Sequence, residues 1–133
     1  MALVAPQEGE LLLLAYMLNK TAPGDPVLRL FTNNIGTIVD GSTIANFTEA
    51  TQAGYASATL AGTDWTVGAS VGVTSANFAA QTFTFTTSAT VYGYFITEQS
   101  GGDVLWAEVF SAGAFNIPDG GGTIAITPKI TLD

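Results

Sequence analysis

The chain has 133 residues, of which 47% are apolar and only 11% are charged. Eleven acidic residues against three basic ones give a formal net charge of −8, which argues against nucleic acid as a partner because the phosphate backbone attracts basic surfaces. The sequence contains no His and no Cys, so it lacks the usual general base, the usual zinc ligand and any thiol, which weighs against most kinds of enzyme.

The length is typical of a single domain that buries its own core without a metal ion or a disulfide. The charged fraction is less than half of the roughly 25% that is usual for globular proteins. The surface is therefore expected to consist of small polar residues and alanine, or to be covered in part by other subunits.

Residues 1–9 are predicted to form an extended arm, because Pro6 and Gly9 oppose regular structure. A helix is predicted over residues 10–19, since Glu10 suits its positive end and Pro23 follows its C-terminus. The apolar run inside it is far shorter than the roughly 20 residues that cross a bilayer, and the acidic residues before it do not fit a signal peptide. Neither a membrane span nor a signal peptide is expected.

The predicted helix is apolar nearly all round, and such a helix cannot lie free on a soluble monomer. Two alternatives follow. Either the helix plugs the open end of a sheet structure, or another subunit covers it.

The rest of the chain is patterned as short strands between turns. The segments 91–98 and 104–110 are predicted to form a hairpin, because a five-residue loop with two glycines joins them. The segment 123–132 alternates strictly between apolar and other residues, as a half-buried strand does. The other strand candidates are 27–33, 37–39, 43–47, 55–60, 65–67, 71–73 and 75–86.

This pattern predicts an all-β fold, an antiparallel β-sandwich or jelly-roll-like domain with an N-terminal extended arm and one short helix. Residues 1–22 are assigned to the arm and the apolar helix, which make assembly contacts. Residues 23–133 are assigned to the β-sandwich domain.

Catalytic chemistry has one candidate pair, Glu98 and Glu108, on the two strands of the predicted hairpin. Two carboxylates roughly 5–10 Å apart suit glycoside hydrolysis, but a single pair carries little specificity, and both are interpreted as solvated strand residues. The glycine-rich segment 118–122 precedes a strand rather than a helix, so it is predicted to be a turn and not a phosphate loop. No catalytic, cofactor-binding or metal-binding residue is predicted.

A glycan-binding module is a rival hypothesis, because Trp65, Tyr92, Tyr94 and Trp106 could provide stacking surfaces for sugars. Calcium could be held by Asp40, Asp64, Asp103 or Asp119. Aromatic residues in alternating strands are more often part of a core or a subunit interface.

The segments AYMLNKTAPGDPVLRLFTNN (15–34) and VYGYFITEQSGGDVLWAEVFSAGAFNIPDGGGTIAITPKITL (91–132) resemble a family of small virion proteins of tailed bacteriophages. The resemblance rests on the LNKTAP and LRLF opening, a Trp about midway, and the YGYF and WAE.F ending. It implies a structural role in the particle, with no catalytic residues. It also implies a symmetric homo-oligomer on a local threefold or twofold axis, with a trimer preferred and a dimer as the alternative.

The predicted function is therefore a non-enzymatic capsid decoration (cement) protein, which stabilises the head shell from the capsid surface. The alternatives are a tail, adaptor or head–tail connector protein and, from another class, a glycan-binding β-sandwich module. The predicted partners are the major capsid protein or other virion proteins and further copies of the chain, with no nucleic acid, membrane or cofactor. The predicted assembly contacts are Leu3, Val4, Leu11, Leu12, Leu14, Tyr16 and Leu18.

Overall fold

A computed structural model describes residues 3–132, which form one α-helix and a series of antiparallel strands. This confirms the all-β prediction at the level of fold class. In chain order the elements are α1 (Gln7–Met17), β1 (Val27–Phe31), β2 (Ala58–Thr59), β3 (Thr66–Ser70), β4 (Val73–Asn77), β5 (Gln81–Phe85), β6 (Ala89–Val91), β7 (Gly93–Thr97), β8 (Val104–Val109), β9 (Phe115–Ile117), β10 (Gly122–Ile126) and β11 (Lys129–Leu132).

Within residues 3–132 the strands form four antiparallel sheets. The largest has the order β2-β1-β7-β8, and we call it the central sheet. The others are β11-β4-β3 and the two-stranded pairs β10-β5 and β6-β9. The predicted hairpin is confirmed, because β7 pairs with β8 with Tyr94 opposite Glu108.

The central sheet is buried on both faces. On one face Leu28, Leu30 and Ile96 join the main core, which they share with residues of β5, β6, β9 and β10. On the other face Phe31 and Phe95 join a second apolar cluster. Each of these five side chains is at most 1% exposed, so the middle of the sheet is fully removed from water.

The second face is covered by an irregular segment rather than by strands. Phe47 stacks on Phe95 with ring centroids 4.9 Å apart and meets Phe31 edge-on at 5.3 Å. The predictions of strands over 37–39 and 43–47 were therefore wrong, and a 3₁₀ helix with a capping box begins after Thr43 instead. A loop that places one aromatic ring on a sheet needs no alternation along the chain.

Two long strand candidates are each divided between two sheets. The segment 75–86 is interrupted at 78–80, so β4 and β5 belong to different sheets, and 123–132 is interrupted between β10 and β11. Pro128 has no N–H for a ladder, and its carbonyl accepts a hydrogen bond from Phe78 N at 3.0 Å. The alternation of apolar and other residues persists through the crossing, which is why one strand was predicted there.

A polar network fixes the edge of the central sheet beside β1. Arg29 Nη1 donates to Glu49 Oε2 at 2.7 Å, and Arg29 Nε donates to the buried hydroxyl of Thr97 at 3.2 Å. The Tyr55 hydroxyl donates to Glu49 Oε1 and accepts a bond from Leu30 N, both at 3.0 Å. These bonds tie β1 to β7 and to the segment 49–55, so the network has a structural role.

Alkaline pH is expected to destabilise the fold through Tyr55 and Tyr94. Burial raises the pKa of both phenols well above 10.0, and carboxylates that accept from them, Glu49 and Glu108, raise it further. The unfolded chain ionises these tyrosines from about pH 10 while the folded chain does not, so their contribution to stability is complete below that pH and is lost as the pH rises above it. Urea unfolding between about pH 8 and about pH 11 measures the decrease. Tyr55→Phe and Tyr94→Phe should each make the decrease shallower, and unchanged curves for both would contradict the assignment.

Candidate assembly surface

The N-terminal residues are built into the domain rather than detached from it. Val4 and Ala107 of β8 exchange two backbone hydrogen bonds, each 2.9 Å long. The helix begins at Gln7, after Pro6 at its N-cap, so the prediction of an extended arm over 1–9 was wrong for residues 7–9, while residues 1–2 lie outside the described part of the chain. Residues 3–6 are not helical, and Val4 pairs with the outer edge of β8, which protects that edge from further pairing.

The helix α1 lies directly against the backbone of β8. A Cβ added at Gly9 would be 2.5 Å from the carbonyl oxygen of Val104, so only glycine allows this approach. Glu8 Oε1 accepts a hydrogen bond from Val104 N at 2.7 Å. The sequence suggested that Gly9 would interrupt a helix. In the structure Gly9 lies within α1, and because it has no side chain the helix can approach the backbone of β8 closely.

The C-terminal end of α1 is closed by a Schellman motif. Asn19 has a φ of 55°, and its N–H bonds to Tyr16 O at 3.0 Å, while Lys20 N bonds to Ala15 O at 2.9 Å. Asparagine is one of the few residues that adopt this left-handed conformation readily. The motif holds Lys20 next to the negative end of the helix.

The seven predicted assembly residues divide between two faces of the N-terminal segment. Leu3, Leu12 and Tyr16 pack against the main core, and Val4 packs against the second cluster, so these four belong to the inner face. Leu11, Leu14 and Leu18 lie on the opposite face and are 64%, 51% and 62% exposed. We call these three leucines the outer stripe, and Met17 beside them is 73% exposed.

A groove lies between α1 and the sheet β11-β4-β3, with a volume of about 260 Å³. Its lining is mostly apolar and carries three aromatic side chains, so we call it the aromatic groove. It is lined by Leu13, Tyr16, Pro23, Trp65, Val67 and Trp106, among others. The sequence did not predict this groove, because its residues come from six separate segments of the chain, from Leu13 to Ile130.

The sheet β11-β4-β3 is thinly covered. Every residue of β3 is exposed, and the β3–β4 turn carries Val71 fully exposed, with Val67 70% exposed on β3. Val71 has a φ of 43° and Gly72 a φ of 83°, the signs that a type I′ hairpin turn requires. A β-branched residue in that conformation is uncommon, and an apolar residue at an exposed tip gains nothing in the isolated chain. The prediction of a strand over 71–73 was therefore wrong at 71–72, which form the turn between β3 and β4.

The candidate carboxylates Glu98 and Glu108 do not form a catalytic pair. Glu108 lies opposite Tyr94, whereas Glu98 follows Thr97 at the other end of the hairpin, so about 14 Å of strand separates them. Glu108 accepts a bond from the Tyr94 hydroxyl at 2.6 Å. Glu98 accepts bonds from the Ser100 hydroxyl and from Gly102 N, and these donors lower its pKa.

The aromatic residues considered for sugar binding also have structural neighbours. Tyr94 is 8% exposed and belongs to the main core, and Tyr92 packs against the second cluster. Trp65 meets Phe78 edge-on at 5.2 Å and, with Trp106, lines the aromatic groove. The four rings therefore do not form one stacking platform.

The described part of the chain offers no cluster of metal ligands and no membrane-spanning helix. Residues 3–132 contain no group of three or more acidic side chains placed to hold a metal ion. Over the same residues, no helix is both long and apolar enough to cross a membrane.

Comparison with models of protein families, with curated proteins and with solved structures finds no match to this chain.

Proposed function

We propose that this protein is a non-enzymatic structural component of a tailed-bacteriophage virion, a capsid decoration protein that stabilises the head shell. The single observation that carries the proposal is the outer stripe of α1. A helix that is firmly docked on its own sheet still presents three leucines to water, and an apolar strip of this kind is typical of a protein–protein contact.

The body of the domain supports a building-block role. Its central sheet is buried on both faces. Hydrogen bonds join the side chains of Arg29, Glu49 and Tyr55 to one another, and another bond joins Tyr94 to Glu108. The whole sequence has no His or Cys to react or to titrate near neutral pH. A fully buried central sheet with internally bonded polar groups suits a structural role in a shell.

We infer that the sheets pack as an antiparallel β-sandwich of jelly-roll type. The main core joins Leu28 and Ile96 of the central sheet to Phe83, Phe85 and Ile124 of the β10-β5 pair. A shared core between the faces of two sheets is the arrangement of a sandwich. In this arrangement the sheet β11-β4-β3, whose strand β3 is exposed along its whole length, offers a further surface to a neighbour in the particle.

The partners in this proposal are the major capsid protein and other copies of the chain. The resemblance favours a trimer on a threefold axis, with a dimer as the alternative. Labelling of purified virions with a gold-coupled antibody against this protein tests the location. Uniform labelling of the head supports the proposal, label confined to the tail or the head–tail junction supports a tail, adaptor or connector protein, and unlabelled particles overturn both.

A glycan-binding module is the second candidate, and Trp65, Trp106 and Tyr16 in the aromatic groove favour it. Few polar groups line that groove, whereas a sugar presents many hydroxyls. A glycan array distinguishes the two functions. Binding that is lost with Trp106→Ala supports the module, and silence across bacterial polysaccharides counts against it.

A further inference from the structure

We propose that the outer stripe of α1 binds the outer stripe of a second copy of this chain, with the two helices antiparallel across a twofold axis. The inference rests on the proposed function and selects its alternative, a dimer, over the preferred trimer by naming the surface and the orientation. Its test uses the purified protein alone, so a negative result would leave the capsid labelling experiment untouched, and the reverse also holds.

The spacing of the outer stripe favours another helix as its occupant. Leu11, Leu14 and Leu18 are separated by three and four residues, which is the narrow seam of paired helices and not the broad face that packs on a sheet. The broad face of α1 is already used, because Gly9 and Tyr16 lie against β8 and the main core. One helix thus has two apolar faces with different partners.

Charge complementarity favours a second copy in the antiparallel orientation. Glu10 lies at the N-terminal end of α1, and Lys20 is held at its C-terminal end by the Schellman motif. Glu8, in contrast, is turned inward and accepts a bond from Val104 N. An antiparallel pair places each acidic end beside the Lys20 of the other copy, and it also aligns the two helix dipoles favourably. A parallel pair would place acidic ends together in a chain whose net charge is already −8.

The size of the surface predicts a modest affinity. A helix of 11 residues is about 16 Å long, and a stable interface buries about 800 Å² on each partner, more than one seam of this length supplies. The apolar surface continues from the outer stripe over Met17 to Leu13 and Tyr16 at the aromatic groove. We expect the contact to extend onto Met17 and to have a dissociation constant of about 1–100 μM.

Light scattering during size-exclusion chromatography, over a concentration series, tests the surface. The wild-type chain should pass from monomer to dimer, whereas Leu14→Glu should remain a monomer at every concentration. Val39→Glu is the matched control, because Val39 is 56% exposed and lies outside α1, and it should dimerise like the wild type. A wild-type monomer at about 100 μM, a trimer, or dimerisation of Leu14→Glu overturns the proposal.

Cysteine cross-linking tests the orientation, and the chain suits it because the sequence has no Cys of its own. Leu11→Cys and Leu18→Cys proteins are oxidised separately and as a mixture. Antiparallel helices should give several-fold more cross-linked dimer in the mixture than in either protein alone. More cross-linking of each protein with itself than of the mixture would overturn the antiparallel arrangement.

Discussion

Gly9→Val is expected to lower the free energy of unfolding by about 3 kcal/mol and to push α1 away from β8. A Cβ at this position would lie 2.5 Å from the carbonyl oxygen of Val104 and 2.9 Å from the Cα of Leu105. Both are backbone atoms of β8, which its pairing with β7 holds in place. The helix therefore has to move, and the hydrogen bond from Val104 N to Glu8 has to lengthen. Val and Gly differ by only a few tenths of a kcal/mol in helix propensity, so the loss measures the clash.

Urea unfolding of the purified chain measures this loss, with Gly68→Val on β3 as the control. A Cβ at Gly68 meets no atom within 4 Å, and valine suits a strand, so the control should stay within about 0.5 kcal/mol of the wild type. If the N-terminal segment were a detached arm, Gly9→Val would leave the unfolding curve unchanged. Equal stability of the two variants would therefore contradict the docked helix.

The helix illustrates how far the sequence predicts this fold. Its existence follows from the apolar run and the proline after it, but its two apolar faces are not distinguishable along the chain. Leu12 and Leu14 are the same residue type, yet one packs on the main core and the other faces water. Which face of the helix is buried depends on Gly9, because its missing side chain lets that face approach β8. This contact is not visible in the sequence, since β8 lies about 95 residues further along the chain.

The strands show the same division between local and non-local information. The β7–β8 hairpin could be predicted, because its turn and its alternating residues are adjacent in sequence. The pairings of β11 with β4 and of β10 with β5 join residues between 37 (Gly122 and Phe85) and 58 (Leu132 and Thr74) positions apart, and no local pattern specifies them. The aromatic groove could not be predicted for the same reason, because Tyr16, Trp65 and Trp106 line it together but are far apart in the sequence.

Among the candidate sites, the negative expectations about Glu98 and Glu108 rested on low specificity alone. The structure adds a physical reason, because the register of the hairpin separates the two carboxylates and gives each its own donors. The predicted assembly residues were a mixture of both helix faces for a related reason. The sequence alone could not show which of these residues the chain's own sheet buries, because that depends on where the sheet lies relative to the helix.

We propose that the outer stripe of α1, through its contact with a second copy, retains this protein in the phage particle, while the inner face only holds the helix on its domain. Phages that encode Leu14→Glu, or Val39→Glu as the matched control, are purified, and the copies of this protein per particle are counted by quantitative mass spectrometry. Both positions are about half exposed, and both changes add one negative charge. We expect the number of copies per particle to fall by about tenfold or more with Leu14→Glu and to stay at the wild-type number with Val39→Glu. Equal incorporation of the two variants would contradict it.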